Sequence, residues 1–138
     1  MEKSKFGAGQ IEANLKRARK DLSTAKSTIP VDEEWAYAIA YNAMLRAGRA
    51  LMFSLGFRPK GKDQHKTVVD FCTGVLGQEY KNLTVRFNRM RIKRHDFIYD
   101  PERPISKTEA GQSIENAEKF VLEIAARIKK GSSQAKLF

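Results

Sequence analysis

The sequence predicts an all-α fold, a five-helix up-and-down antiparallel bundle. In five segments the apolar residues recur every three or four positions, which is the period of an amphipathic helix, and no segment has a convincing strand pattern. The connections between these segments are mostly short, which favours antiparallel neighbours in a bundle. A length of 138 residues suits one domain with one hydrophobic core. We therefore expect a single domain spanning residues 1–138, with an ordered core at about 9–130 and flexible ends.

The first two helices are predicted at about residues 9–26 and 32–55. Pro30 ends any continuation of the first helix, and Asp32 is a good N-cap for the second. Gly56 supplies the C-terminal stop of the second helix. The apolar stripe of the first helix is Ile11, Leu15, Ala18, Leu22 and Ala25. The broad buried face of the second is Trp35, Ile39, Ala43, Ala47, Ala50, Leu51 and Ser54.

Three further helices are predicted at about residues 63–76, 79–99 and 106–130. The run from Ser106 to Glu109 has the pattern of a capping box, and Gly131 is expected to end the fifth helix. Residues 100–104 contain two prolines and are predicted to form a loop.

Charge and composition restrict the classes of partner. The net charge is +10 and the pI is near 9.9, which favours RNA, nucleotides or an acidic protein, although a basic surface with no specific partner would give the same values. The single cysteine, Cys72, fits a reducing cytoplasm. Cysteines and histidines do not cluster with metal-ligand spacing, and no signal peptide or membrane span is apparent. We expect a cytoplasmic protein without metal or cofactor.

The fourth helix carries an arginine among its apolar positions. Leu83, Phe87, Met90 and Ile98 fall on one stripe at about 100° per residue, and Arg94 lies within that stripe. An arginine that points to a core needs an acid, a carbonyl or a ligand phosphate, because an unpaired buried charge is costly. Arg94 therefore either extends to the end of the bundle or pairs with an internal carboxylate, or it anchors a polar pocket.

A second stripe on the same helix is polar. Asn88, Arg91, His95 and Tyr99 share a face, and such groups can bind a phosphodiester and transfer protons. A solvated basic face is the alternative interpretation. Additional basic residues on this helix would attract RNA with a strong dependence on salt; they are Arg86, Arg89 and Lys93.

The run 89–100, Arg-Met-Arg-Ile-Lys-Arg-His-Asp-Phe-Ile-Tyr-Asp, resembles the penultimate-helix signature of HEPN domains (higher eukaryotes and prokaryotes nucleotide-binding). Residues 40–51 and the connector 56–59 leading to His65 and Val68 also resemble that family. The resemblance implies a helical bundle that often dimerises. It implies a metal-independent ribonuclease, or a toxin encoded beside a nucleotidyltransferase antitoxin, or part of another defence system.

The family signature is an Arg followed, after four to six residues, by a His, and two registers fit this sequence. In the first register, Arg89 pairs with His95, although the two lie about 120° apart on an ideal helix. In the second, Arg94 begins the motif and Tyr99 stands where the His is expected. The resemblance thus implies His95, Arg89, Arg94 and Tyr99 as catalytic candidates. The binding candidates are Arg91, Asn88, Arg86 and Lys93.

Three functional hypotheses follow. The first is a ribonuclease of a toxin–antitoxin or defence system, with a homodimer completing its site. The second is a catalytically inactive module that binds a nucleotide or a nucleotidyltransferase partner. The third is a basic bundle whose polar face is only solvated. His65, near the start of the third helix, is expected to make a capping or interhelix hydrogen bond rather than to act in catalysis.

Overall fold

The computed structural model describes residues 2–3, 7–99 and 104–137, with side chains described within 7–96 and 104–132. Its described helices confirm the predicted five-helix bundle: α1 (Ala8–Thr28), α2 (Glu33–Ser54), α3 (Gln64–Leu76), α4 (Lys81–Tyr99) and α5 (Lys107–Leu137). A short 3-10 turn, Gln78–Tyr80, precedes α4. Two strands of two residues each, β1 (Glu2–Lys3) and β2 (Phe57–Arg58), pair in antiparallel register.

The helix starts follow the predicted capping chemistry. The carboxylate of Asp32 accepts a hydrogen bond of 3.0 Å from the backbone N–H of Trp35, so one of the free N–H groups at the start of α2 is satisfied. At α5, the Glu109 N–H donates to Oγ of Ser106 at 3.1 Å, and the Ser106 N–H donates to the Glu109 carboxylate at 3.4 Å. This reciprocal pair is the capping box that the sequence predicts.

Helix α2 is the centre of the bundle, since it packs against α1, α3, α4 and α5. It is apolar on nearly all sides, as a helix surrounded by others must be. Gly48 allows α3 to approach closely: a Cβ at this position would lie 2.5 Å from Cγ1 of Val68. The large side chains that this packing buries on α2 are Tyr41, Met44, Leu51 and Met52.

The structure differs from the sequence-based predictions in three places, and a fourth prediction lies almost entirely outside the described residues. Trp35 is 61% exposed rather than buried, because it lies on the outer face of α2, whereas Ala36 and Tyr37 beside it are buried. Helix α5 continues past Gly131 to Leu137, since one glycine costs a helix only about 1 kcal/mol and does not force it to end. The β1–β2 pair was not expected from the sequence. The predicted loop at 100–104 lies, except for Pro104, outside the described residues.

The predicted apolar stripes of α1 and α4 are mostly buried. Leu15, Ala18, Leu22 and Ala25 are buried on α1, and Phe87 and Met90 on α4. Ile11 and Leu83 are partly buried, and the side chain of Ile98 lies outside the described residues. Among the described residues, none of the helices has the length and apolar character needed to cross a bilayer.

Candidate functional site

Helix α4 distributes its basic side chains over two flanks. Arg91 and Arg94 lie on the flank that faces α2 and α3, whereas Arg86, Arg89 and Lys93 line a groove beside α5. The two flanks follow from the helical period, because Arg94 and Lys93 are about 100° apart on opposite sides of the buried Met90. The basic residues of α4 therefore belong to two different sites.

The first site is centred on Tyr41 of α2. The guanidinium carbon of Arg94 lies 5.7 Å from the centre of the Tyr41 ring, within the range of a cation–π contact. Arg94 is half-buried, and its Nε is fully buried with no hydrogen-bond partner among the described residues. A buried N–H of a charged group without an acceptor is costly, so the described residues leave part of the hydrogen-bonding capacity of Arg94 unfilled.

Tyr41 also contacts α3. Its hydroxyl lies 3.1 Å from Nδ1 of His65, the second residue of that helix. This contact confirms the interhelix hydrogen bond expected for His65. Burial raises the pKa of Tyr41 to about 12 and outweighs the opposite effect of Arg94, Arg91 and Arg49, so the phenol stays protonated at neutral pH.

The electrostatic surroundings of His65 are positive. Burial is the largest cause that lowers its pKa, followed by the charges of Arg49, Arg94 and Arg91. Since the ordinary value is 6.5, His65 is a neutral imidazole at pH 7. Burial and the charge of Arg46 likewise lower the pKa of Arg49.

We call Arg49, Arg91 and Arg94, together with Tyr41 and His65, the arginine cluster. Arg91 donates from Nε and a terminal nitrogen to the side-chain oxygen of Asn88 at 3.1 and 3.0 Å, and this partner is neutral, so it does not compensate the charge of Arg91. The nearby Arg46, in contrast, is paired with Asp21 at 2.9 Å.

The arginines, His65 and Asn88 are half-buried rather than enclosed, so a ligand from solvent can reach them. Three guanidinium groups around a phenol and an imidazole form a site suited to a phosphate group.

The second site is a groove of about 500 Å³ between α4 and α5, bordered by Tyr37 of α2. Its charges are mixed, because two carboxylates line it together with four basic side chains; these residues are Glu109, Glu115, Arg86, Arg89, Lys93 and Lys119. Lys93 pairs with Glu109, and Arg86 donates to the Asn116 side chain at 2.8 Å. This groove therefore offers less uncompensated positive charge than the arginine cluster.

The structure places the predicted site residues in different surroundings. Arg94, Arg91 and Asn88 lie together at the arginine cluster, and Arg89 lies in the α4–α5 groove. His95 is an exposed side chain that is not part of the groove lining. The side chain of Tyr99 lies outside the described residues.

Tyr41 and Arg49 were not singled out from the sequence. The sequence nevertheless contained a signal for a site at these residues. Both are polar side chains on α2, the most apolar helix of the chain, and because they are eight positions apart they lie on nearby faces of it. A buried polar group on such a helix needs a partner, and here the partners come from α3 and α4. Among the described residues, no group of three or more His, Cys, Asp or Glu side chains is arranged to hold a metal ion.

A comparison with curated proteins finds no match to this chain. The family model of the HEPN domain matches residues 11–128, which include α2, α3 and α4 in full and most of α1 and α5. The residues of the arginine cluster all fall within this matched range. The match extends over most of the chain, and the chain therefore belongs to the HEPN domain family.

Proposed function

We propose that this HEPN domain acts on RNA, with a backbone phosphate bound at the arginine cluster. The observation that carries the proposal is the positive charge of Arg49, Arg91 and Arg94 that meets at Tyr41 and His65. Guanidinium groups bind phosphate oxygens through charge-assisted hydrogen bonds, and the three arginines are half-buried rather than enclosed. The net charge of +10 would draw RNA to the domain from a distance.

The proposed reaction is metal-independent endonucleolytic cleavage, in which the 2′-hydroxyl of the substrate attacks the adjacent phosphate. In this proposal His95 is the general acid or base, with Arg89, Arg94 and Tyr99 also at the catalytic site. Asn88, Arg86, Arg91 and Lys93 would bind the RNA. Because the groups of α4 lie on two flanks, a second copy of the chain would bring the two sets together. The role we propose for this activity is that of the cytoplasmic RNA-acting component of a toxin–antitoxin or defence system, which is the role that the family resemblance suggests.

The test combines binding and cleavage. Fluorescence anisotropy with labelled single-stranded RNA measures the affinity, and gel analysis in EDTA measures cleavage. For Arg94→Gln we expect an affinity about tenfold weaker, equivalent to about 1.4 kcal/mol, and a loss of cleavage. Arg17→Gln is the matched control, because it removes the same charge from an exposed position on α1. Equal affinities of Arg94→Gln and the parent protein would refute the proposed phosphate site.

A second candidate function is supported by the position of His95. This side chain is exposed, and the register that begins at Arg94 puts Tyr99 in place of the motif histidine. The domain would then be catalytically inactive and would bind a nucleotide or a nucleotidyltransferase partner through the arginine cluster. An increase in melting temperature with nucleotides, without RNA cleavage in EDTA, would favour this function over the first.

A further inference from the structure

We propose that His65 is a catalytic residue of this domain, which accepts the proton of the attacking 2′-hydroxyl while the hydroxyl of Tyr41 orients its ring. The inference rests on the proposed action on RNA and adds a proton acceptor from α3, a helix outside the Arg–His motif. It follows from where the described side chains meet, since Tyr41 contacts both His65 and Arg94, and the charges of Arg49, Arg91 and Arg94 all act on His65.

The geometry supports contact between His65 and a bound phosphodiester. Arg94 and His65 both contact Tyr41, Arg94 over the ring and His65 at the hydroxyl. A phosphate that binds Arg94 is thereby brought to the same side chain that holds His65. Both residues are half-buried, so the ligand can approach from solvent.

Tyr41 can decide which nitrogen of His65 accepts a proton. The hydrogen bond of 3.1 Å joins the Tyr41 hydroxyl to Nδ1. When Nδ1 carries the hydrogen and donates it to the phenol oxygen, Nε2 presents its lone pair to the ligand. Tyr41 itself is fully buried and packs against Phe87, which fixes its ring.

The proposed step is balanced with the substrate and water alone. Nε2 of His65 takes the proton from the 2′-hydroxyl, and the 2′-oxygen forms a bond to phosphorus. The bond between phosphorus and the 5′-oxygen breaks, and that oxygen takes a proton from water. The products are a 2′,3′-cyclic phosphate and a free 5′-hydroxyl, and the His65 imidazolium then returns its proton to solvent. Arg94 and its neighbours stabilise the negative charge that builds up on the phosphate oxygens.

The charged groups around His65 favour its action as a general base. The charged groups that act on it are Arg49 of α2 with Arg91 and Arg94 of α4, and Tyr41 stays protonated beside it. Positive charge and burial keep the imidazole unprotonated at neutral pH, so its lone pair is available. The expected pH–rate profile therefore has an acid limb below the ordinary histidine range.

The experiment compares His65→Gln, Tyr41→Phe and Lys66→Gln in RNA cleavage with EDTA present. For His65→Gln we expect kcat to fall at least about 100-fold, the usual contribution of a general base, with RNA affinity changed less than about twofold. Tyr41→Phe should lower kcat less and move the acid limb of the pH–rate profile. Lys66→Gln, an exposed neighbour on the same helix, should leave both parameters unchanged.

A second measurement separates catalysis from folding. Free imidazole added to His65→Ala should restore part of the cleavage, which a purely structural role would not allow. The inference is overturned if His65→Gln cleaves like the parent protein, or if imidazole gives no rescue. It is also overturned if the parent protein binds RNA through Arg94 yet cleaves none. In that last case the proposed phosphate site stands, whereas absence of RNA binding by the parent protein refutes both.

Discussion

The guanidinium carbon of Arg94 on α4 lies 5.7 Å from the centre of the Tyr41 ring on α2. The same ring carries the hydroxyl that contacts His65 at the start of α3. One buried phenol thus connects three helices at the point where the positive charge of Arg49, Arg91 and Arg94 is concentrated. The bundle packing therefore creates a polar site inside an otherwise apolar contact.

The salt dependence of RNA affinity should show whether Arg94 contacts a phosphate. Arg94→Gln should reduce the slope of log affinity against log salt concentration by about 0.7 for single-stranded RNA, because one fewer phosphate is neutralised. The measurement is anisotropy titration at several salt concentrations. Arg17→Gln on α1 should keep the parent slope, and a parent-like slope for Arg94→Gln would show that this side chain makes no ionic contact with RNA.

The lowered pKa of His65 should appear in the dependence of stability on pH. Below its ordinary value of 6.5 the unfolded chain takes up a proton at this residue, while the folded chain resists protonation. The contribution of His65 to stability is therefore complete above pH 6.5 and is lost as the pH decreases through the window below that value. Urea unfolding at pH 7.5 and 5.5 measures the effect.

His65→Asn provides the comparison for this effect, because it keeps a polar side chain without the titration. We expect a smaller decrease in the free energy of unfolding for this variant than for the parent protein. Identical decreases would indicate that the pKa of His65 is the same in the folded and unfolded chains.

The close packing of α3 on α2 should depend on the lack of a side chain at Gly48. A Cβ at this position would lie 2.5 Å from Cγ1 of Val68 and 3.1 Å from Sγ of Cys72, and both residues are fully buried. Gly48→Ala should therefore lower the free energy of unfolding by about 1–3 kcal/mol, as overpacking does. Gly74→Ala is the control, since nothing lies within 4 Å of its added Cβ.

The control variant Gly74→Ala should instead raise the free energy of unfolding. Gly74 lies inside α3 at an exposed position, and replacing a helical glycine by alanine gains about 0.5–1 kcal/mol. Urea denaturation of both variants gives the two values. A stabilising Gly48→Ala would mean that Val68 moves aside freely.

The capping box of α5 should contribute measurably to stability. Ser106→Ala removes the acceptor of the Glu109 N–H and should cost about 1 kcal/mol in the free energy of unfolding. Thr108→Ala, an exposed residue in the same first turn, should have little effect. Thermal or urea unfolding measures both, and equal values would mean that water replaces the serine hydroxyl without loss.

Much of the fold was determined by the sequence alone. Five apolar periodicities predicted five helices, and the caps Asp32 and Ser106 marked where α2 and α5 begin, because periodicity and capping are local properties of the chain. The core-directed position of Arg94 on α4 could also be predicted, since it follows from the helical period. The exposure of Trp35 could not, because it depends on which face of α2 the other helices cover. The extension of α5 past Gly131 could not, because a single glycine weakens a helix without forcing it to end.

The composition of the candidate site was decided by tertiary structure. The sequence separates Tyr41, His65 and Arg94 by long stretches of chain, and no periodicity relates residues on three different helices. Their meeting depends on the crossing of α2 with α3 and α4, which Gly48 makes close. The sequence by itself determined the helices and their polar faces. Helix packing decided which polar groups share a site, because contacts between distant parts of the chain form only when it folds.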